Sequence, residues 1–503
     1  MKYARTCLAA VLGAGALVEF LFWGGAGVGF TILFLILLAA YYIACGFPKS
    51  DLRHRMEHIA LAVLTAALAL CYTLFANESL RILNFPALMF LMGLVFLQGT
   101  VGLSIRWDRP LFHAELWLGY FVRPFICLAK PWKDLREMRS SRKKDGEGSV
   151  KSAAQKKTLV QVLVTMLAAI PLLFILISIL SSSDPVFRDV FKPLIDWLSS
   201  LQISEVIGKT ILFLFLMPFT ASAVWSYRDS VTVTARTGVT TSAKVPLIPP
   251  VSAITVLAMV NAVYLLYAGV QFAYLFGAFG GNLPDGLTPA EYARQGFFEL
   301  AFISCINVVL LLLSIRMTLR SGKSGTVIRC LATSLLALSS VQLISAMLRM
   351  RLYIRAFGYT QLRYFVSAFM FLIAVYFVFL LVREFVSAFP LFRCMIFAGA
   401  AALVILNYTV PDAQIARYNI EHYQSGELKS LDIDYIMFNL SADGKYILYL
   451  NKDALTGDNI TMRNKFQTGS YKITEDTDRT YRSDNWKMYN LGQEKLYQYL
   501  GSE

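Results

Sequence analysis

Long uncharged apolar blocks recur along most of this chain, and VGFTILFLILLAAYYIAC at 28–45 is one of them. About 20 such residues cross the roughly 30 Å hydrocarbon layer of a bilayer as a helix. In lipid every backbone polar group must be satisfied within the structure, so only helices and closed barrels span it. The blocks are continuous rather than alternating, which excludes a barrel. Charged residues make up 16% of the chain, against about 25% in a typical soluble protein. The expected fold is all-α: a polytopic helical membrane protein.

The spacing predicts eleven spans, over 7–22, 28–45, 59–76, 86–105, 158–180, 210–227, 250–276, 297–315, 327–347, 365–382 and 391–409. The first begins like a signal peptide, but a second block follows within a few residues, so it reads as a retained span. The segment 111–130 contains His113, Glu115 and Arg123 and is rich in Trp and Tyr, which suits an interfacial helix better than a span. Four regions result: a first membrane bundle with its interfacial helix (1–130), a basic linker (131–157), a second bundle of seven spans (158–410) and a polar tail (411–503).

Positive charge sets the expected orientation, because Lys and Arg collect in cytoplasmic loops. With the N-terminus inside, cytoplasmic segments hold 27 of the 47 Lys and Arg, outer loops 9, and the tail 11. The linker is then cytoplasmic, and an odd number of spans puts the C-terminus outside. Acidic residues outnumber basic ones in the tail, so the net charge of +14 belongs to the membrane part. Its partners are the bilayer and anionic headgroups at the cytoplasmic face, not nucleic acid. The tail is available to an extracytoplasmic partner. All seven cysteines lie in or beside apolar blocks, with no CxxC pair, so neither a disulfide framework nor a zinc site is expected.

Three constellations carry candidate chemistry. LRMRLYIRAFGYTQLRYF, from Leu348, joins two spans on the expected outer side and contains Arg349, Arg351, Arg355 and Arg363. Gly358 is placed to end one helix and Thr360 to cap the next. Arg351 and Arg355 share a face, and Arg349 points elsewhere. These arginines either snorkel and pair with outer acids (Asp184, Asp189, Glu291 or Glu299) or form an anion site, since guanidinium grips phosphate bidentately. In LPDGLTPAEYARQGFFEL, Thr288, Pro289 and Glu291 fit a capping box. Glu299 then falls near the outer boundary, where an unpaired carboxylate is costly, and a hairpin arginine is its expected partner. Tyr264, Tyr267, Gln271 and Tyr274 form one polar-aromatic stripe, facing either neighbouring helices or a cavity.

HRMEH at 54–58 matches a zinc-peptidase pattern. Arg53 and Arg55 beside it would repel a cation and no third ligand follows, so no metal is expected. Phosphate-binding glycine loops, nucleophile elbows and dinucleotide fingerprints are missing from the sequence, and no cofactor is implied.

Several stretches, among them SSDPVF (182–187), YLLYAGVQFAYLFG (264–277), LTPAEYARQGFFEL (287–300), LYIRAFGYTQLRYF (352–365), PDAQIARYNI (411–420) and LDIDYIMFNLSADG (431–444), resemble a family of bacterial multi-pass membrane proteins. It is the domain-of-unknown-function 4173/4153 type. The resemblance implies a bacterial cytoplasmic-membrane protein and contributes no catalytic residues. The preferred reading is a protein that binds an anionic envelope-related ligand in an outward-facing pocket, and it leans away from an enzyme. The rivals are a transporter or flippase, a membrane-embedded enzyme on a lipid-linked substrate, and an envelope sensor or scaffold.

Overall fold

The computed structural model describes residues 2–47, 52–100, pieces of 116–128, 205–236, 248–279, 297–318, 320–456 and 486–501. Among the described residues, ten helices are long and apolar enough to cross a membrane. They are α1 (Lys2–Ala16, continued by a π-helical turn Leu17–Phe22), α2 (Val28–Cys45), α3 (Leu52–Leu74), α4 (Glu78–Thr100), α5 (Glu205–Arg236), α6 (Pro250–Phe279), α7 (Phe297–Met317), α8 (Gly322–Phe357), α9 (Gln361–Phe385) and α10 (Leu391–Tyr408). They match ten of the expected spans. The eleventh, 158–180, lies outside the described residues, as do the linker 131–157, Asp184, Asp189, Thr288, Pro289 and Glu291.

Packing divides the chain into two compact units. The first comprises Met1–Gly25, Gly29–Ala62 and Phe90–Gly238. Its tightest pair is α1 against α5. Small residues on α1, including Ala10 and Ala14, are fully buried and let the helices approach closely. The Thr220 hydroxyl donates to the Ala10 carbonyl at 3.0 Å. At the other end Lys209 bridges Glu19 at 3.0 Å and Glu205 at 2.7 Å.

The second unit, Ala26–Val28, Val63–Met89 and Val239–Glu503, is organised by α8. Its buried stripe runs Gly325, Ile328, Ala332, Leu335, Ser339, Leu343, Ala346, Met350 and Ile354, the spacing of one helix face. The hydrophobic core lies between this stripe and α6, α7 and α9. Side-chain hydrogen bonds fix the register. Asn261 donates to the Leu331 carbonyl at 3.1 Å. The Tyr264 hydroxyl donates to Asn307 at 2.8 Å, and Asn307 donates on to Ser339 at 2.8 Å.

With 36 residues, α8 is about 54 Å long at 1.5 Å per residue, well beyond the hydrocarbon thickness. Its last turns lie beside the tail. There α11 (Pro411–Gln424), α12 (Ile433–Asn439), α13 (Ala442–Leu450), α14 (Lys452–Thr456) and α15 (Leu491–Gly501) form a helical cap. The cap has its own core, including Ile415, Ile420, Ile436, Leu440, Leu448 and Leu496.

The cap is fastened to the ends of the membrane helices by hydrogen bonds to their backbone. Asn419 accepts from Tyr359 N at 2.7 Å and donates to Tyr359 O at 2.8 Å. Asp443 accepts from Ala76 N at 2.8 Å, between α3 and α4. Asn490 donates to the carbonyls of Tyr72 (2.9 Å) and Phe75 (2.8 Å). Val28 N donates to Tyr489 O at 2.9 Å. Asp412 takes the Gln361 amide at 2.8 Å with one oxygen and Ser441 N at 2.9 Å with the other. Gly358, with φ 73°, makes the α8–α9 turn, and a Cβ there would lie 2.5 Å from the Asn419 oxygen.

Gly358→Ala should therefore both strain the backbone and push Asn419 away, costing about 1–3 kcal/mol; the thermal midpoint of detergent-solubilised protein measures it. A second expectation concerns Asp443, whose carboxyl burial pushes above its ordinary value, against the pull of the Ala76 N–H. The folded state then holds the proton more tightly than the unfolded one. Its contribution is full below the ordinary carboxylate value and declines as pH rises through the raised one. Asp443→Asn, neutral throughout and still an acceptor, should flatten that slope. Asp443→Ala should cost about 1–3 kcal/mol by leaving the Ala76 N–H without an acceptor. Stability against pH for the three proteins checks both.

Candidate functional site

The α8–α9 hairpin is built as its sequence predicts. Gly358 ends α8, and the Thr360 hydroxyl caps α9 by accepting from Arg363 N at 3.4 Å. The four arginines of this stretch then take different positions. Arg349 is buried, 6% exposed, on the core-facing stripe of α8. Arg363 returns to the end of α8, donating to Gly358 O at 2.6 Å and Phe357 O at 3.1 Å, with its guanidinium 4.0 Å from the centre of the Tyr353 ring. It satisfies helix-terminal carbonyls and stacks as a cation on an aromatic face. Arg351 and Arg355 stand one turn apart and line a cavity of about 550 Å³. Among the described residues neither has a hydrogen-bond or ion-pair partner.

The cavity lies under the hairpin, between α8, α9 and the cap helix α11. Beside the arginines it is lined by Tyr359, Tyr418, His422 and Glu427, and also by Ile354, Ser367, Met347 and the almost wholly buried Met350 and Met370. Tyr359 packs edge-on against Tyr418 with centroids 4.7 Å apart, and Tyr418 stacks on His422 at 3.7 Å. His422 Nδ1 lies 2.9 Å from the Tyr418 carbonyl, within hydrogen-bond range, and Nε2 lies 3.6 Å from the Glu427 carboxylate. The Tyr359 and Tyr418 hydroxyls are pushed up from their ordinary pKa, mainly by burial, so both are protonated donors at neutral pH. Two arginines, two tyrosines and a histidine thus line one volume, and Glu427, 3.6 Å from His422, is the only carboxylate-bearing residue among its described lining residues.

The other expected residues are elsewhere. Glu299 is exposed and, among the described residues, pairs with no arginine. The expected bridge to the hairpin is not formed. The reason is angular: α7 turns Leu300, Ser304, Asn307 and Leu311 inward, and Glu299 sits about 100° off that stripe at 3.6 residues per turn. Tyr264 and Tyr267 pack against the core of the second unit, and Tyr264 is engaged by Asn307. This is the neighbouring-helix alternative for those two residues. The side chains of Gln271 and Tyr274 lie outside the described residues, as does Glu291. In the HRMEH stretch His58 Nε2 is 2.9 Å from the Tyr42 hydroxyl, and His54 Nδ1 is 3.8 Å from Glu57. No group of three or more metal-binding side chains occurs among the described residues.

Sequence reading missed His422 and Glu427. The available signal was the 411–424 helix, whose buried residues Asp412, Ile415, Ala416, Asn419 and Ile420 leave Tyr418 and His422 together on the adjacent stripe at i,i+4.

The family model described as "Domain of unknown function (DUF4153)" matches residues 62–449, and the chain belongs to that family. No curated protein and no solved structure matches it.

The contrast among the arginines is measurable. Replacing Arg351 and Arg355 together by Gln should change stability by no more than about 0.5 kcal/mol, as for surface positions without partners. Arg363→Gln should lose its two bonds to the α8 carbonyls and about 1.5–3 kcal/mol. Thermal melting of the two variants beside the parent protein checks the difference.

Proposed function

We propose that this chain is a bacterial cytoplasmic-membrane protein that binds a phosphate-type anion in the extracytoplasmic cavity beneath its cap. The observation that carries the reading is the pair Arg351 and Arg355. They share a face of α8, line the same cavity and have no partner among the described residues. Like charges at i,i+4 destabilise a helix by about 0.2–0.5 kcal/mol, and an anion between them converts that repulsion into two charge-assisted contacts. The protonated Tyr359 and Tyr418 hydroxyls add donors without adding charge. The cavity volume of about 550 Å³ also falls within the roughly 300–1,000 Å³ of small-molecule sites.

The orientation rests on two supports. Cytoplasmic segments of an N-terminus-inside arrangement hold 27 basic residues against 9 in the outer loops. The cap is also bonded to Val28, Ala76 and Tyr359, all in connections that the same count places outside.

Inorganic phosphate should raise the thermal midpoint of the parent protein, saturably, and leave the Arg351→Gln/Arg355→Gln protein unmoved. At 100 times its Kd the expected stabilisation is about 2.7 kcal/mol. An equal rise in both proteins would remove the arginines from the site. For orientation, a reporter that needs the extracytoplasmic space should be active when fused after residue 503, and one that needs the cytosol should be silent.

A further inference from the structure

We infer that the anion bound here is the head of an amphiphile whose hydrocarbon chain occupies the methionine-lined half of the same cavity; this deepens the anion-site reading and rests on it. The lining is graded along α8. Arg355, Arg351 and Met347 repeat every four residues on one face. From Arg355 to Met347 the helix descends eight residues, about 12 Å at 1.5 Å per residue. Met347 is the last residue of the apolar run at 327–347, and Met370 lies inside the apolar run at 365–382. Both line the cavity, and the tight α8–α9 turn brings them to similar depth from opposite strands of the hairpin. The cavity therefore begins at the edge of the hydrocarbon layer and ends among Tyr418, His422 and Glu427 of the cap, beyond it.

A free phosphate fits only one half of such a space. It would leave unfilled the end where Met347 borders the cavity. Met350 and Met370, each 1% exposed, back that end from the core, and the Ser367 hydroxyl is already given to the Arg363 carbonyl. Water fills such a volume poorly, for want of polar partners. A phosphate-headed lipid fills both halves. Its head lies between Arg351 and Arg355, and its first methylenes lie along the methionines, each buried CH₂ contributing to binding. Methionine suits a chain without fixed conformation, because its unbranched, polarisable side chain adapts to irregular surfaces. Glu427 opposes the head only weakly: its side chain is 66% exposed, so water screens its charge, and its carboxylate lies 3.6 Å from His422 Nε2.

The test uses the full chain in phosphatidylcholine vesicles doped with phosphatidic acid that carries a photoactivatable diazirine on an acyl carbon close to the head. The matched control is phosphatidylcholine with the same diazirine. Labelling by the phosphatidic acid probe should map to 347–370 and exceed the control by about tenfold, the equivalent of ~1.4 kcal/mol. Arg351→Gln/Arg355→Gln should reduce it to the control level. Met347→Trp, which fills the chain-binding half, should also reduce it while stabilisation by inorganic phosphate persists.

Equal labelling by the two lipids, or labelling indifferent to Met347→Trp or to the arginine changes, overturns the amphiphile. If phosphate still stabilises the parent protein in that case, the site takes a free anion. If neither lipid labelling nor phosphate stabilisation depends on the arginines, both readings fall together.

Discussion

Hydrogen bonding at the ends of the membrane helices is the constraint on which the cap end of the second unit depends. A helix leaves its last carbonyls and first N–H groups without partners inside the helix, and in a turn covered by other protein these cannot be left to water. Here the tail supplies the partners. Asn419 closes both backbone groups of Tyr359, Asp443 takes the Ala76 N–H, and Asn490 takes two carbonyls at the end of α3. Each is a short polar side chain on an otherwise ordinary helix or turn, and each has a single geometry in which it works. Together they fix where α11 runs over the hairpin. Once Asn419 is at Tyr359, its neighbour Tyr418 must stand against that ring, and His422 follows one turn later. The cavity is thus a product of how the tail is fastened.

Much of this was legible in the sequence. The spans follow from the length and purity of the apolar blocks, a signal that lipid makes almost unambiguous. The end of α8 at Phe357 and the Thr360 cap follow from local chemistry, since Gly358 alone among its neighbours tolerates φ 73°. The split between Arg349 and the pair Arg351/Arg355 follows from helical angle. Partnerships across helices were not legible. Tyr264 gave no sign of Asn307, and Glu299 was close enough in the sequence pattern to suggest an arginine. Its true direction depended on which face α7 turns to α8, and a helix whose apolar residues lie all round, as α7's do, does not announce a face. His422 and Glu427 were hidden for a related reason. They sit 59 or more positions from Arg363 in the chain, and only the Asn419 contact brings α11 to the hairpin.

The chain also shows what an arginine held for structural reasons looks like, and the comparison bears on Arg351 and Arg355. Within the second unit, Arg320 lies between α7 and α8. It donates to Glu384 at 2.5 Å, to the Ser314 hydroxyl at 2.8 Å and to the Ser314 carbonyl at 3.3 Å, and the Glu384 side chain is only 1% exposed. Arg363 is engaged as completely by two carbonyls and an aromatic face. Both follow the rule that a guanidinium taken from bulk water is paired and hydrogen-bonded, because an uncompensated buried charge is costly.

Arg351 and Arg355 keep their exposure, line one cavity together and, among the described residues, pair with no carboxylate. Glu427 is exposed and lies nearest to His422, at 3.6 Å, and Glu299 turns away from the inward stripe of α7. Snorkelling alone would account for a cation at this depth, but it does not account for two arginines that line one cavity with Tyr359 and Tyr418. Two like charges one turn apart on a helix face, beside protonated tyrosines, create a local positive potential that no carboxylate among the described residues pairs with. On the reading proposed above an anion from outside the chain discharges it, and the apolar residues beside the arginines set the chemistry of what that anion carries.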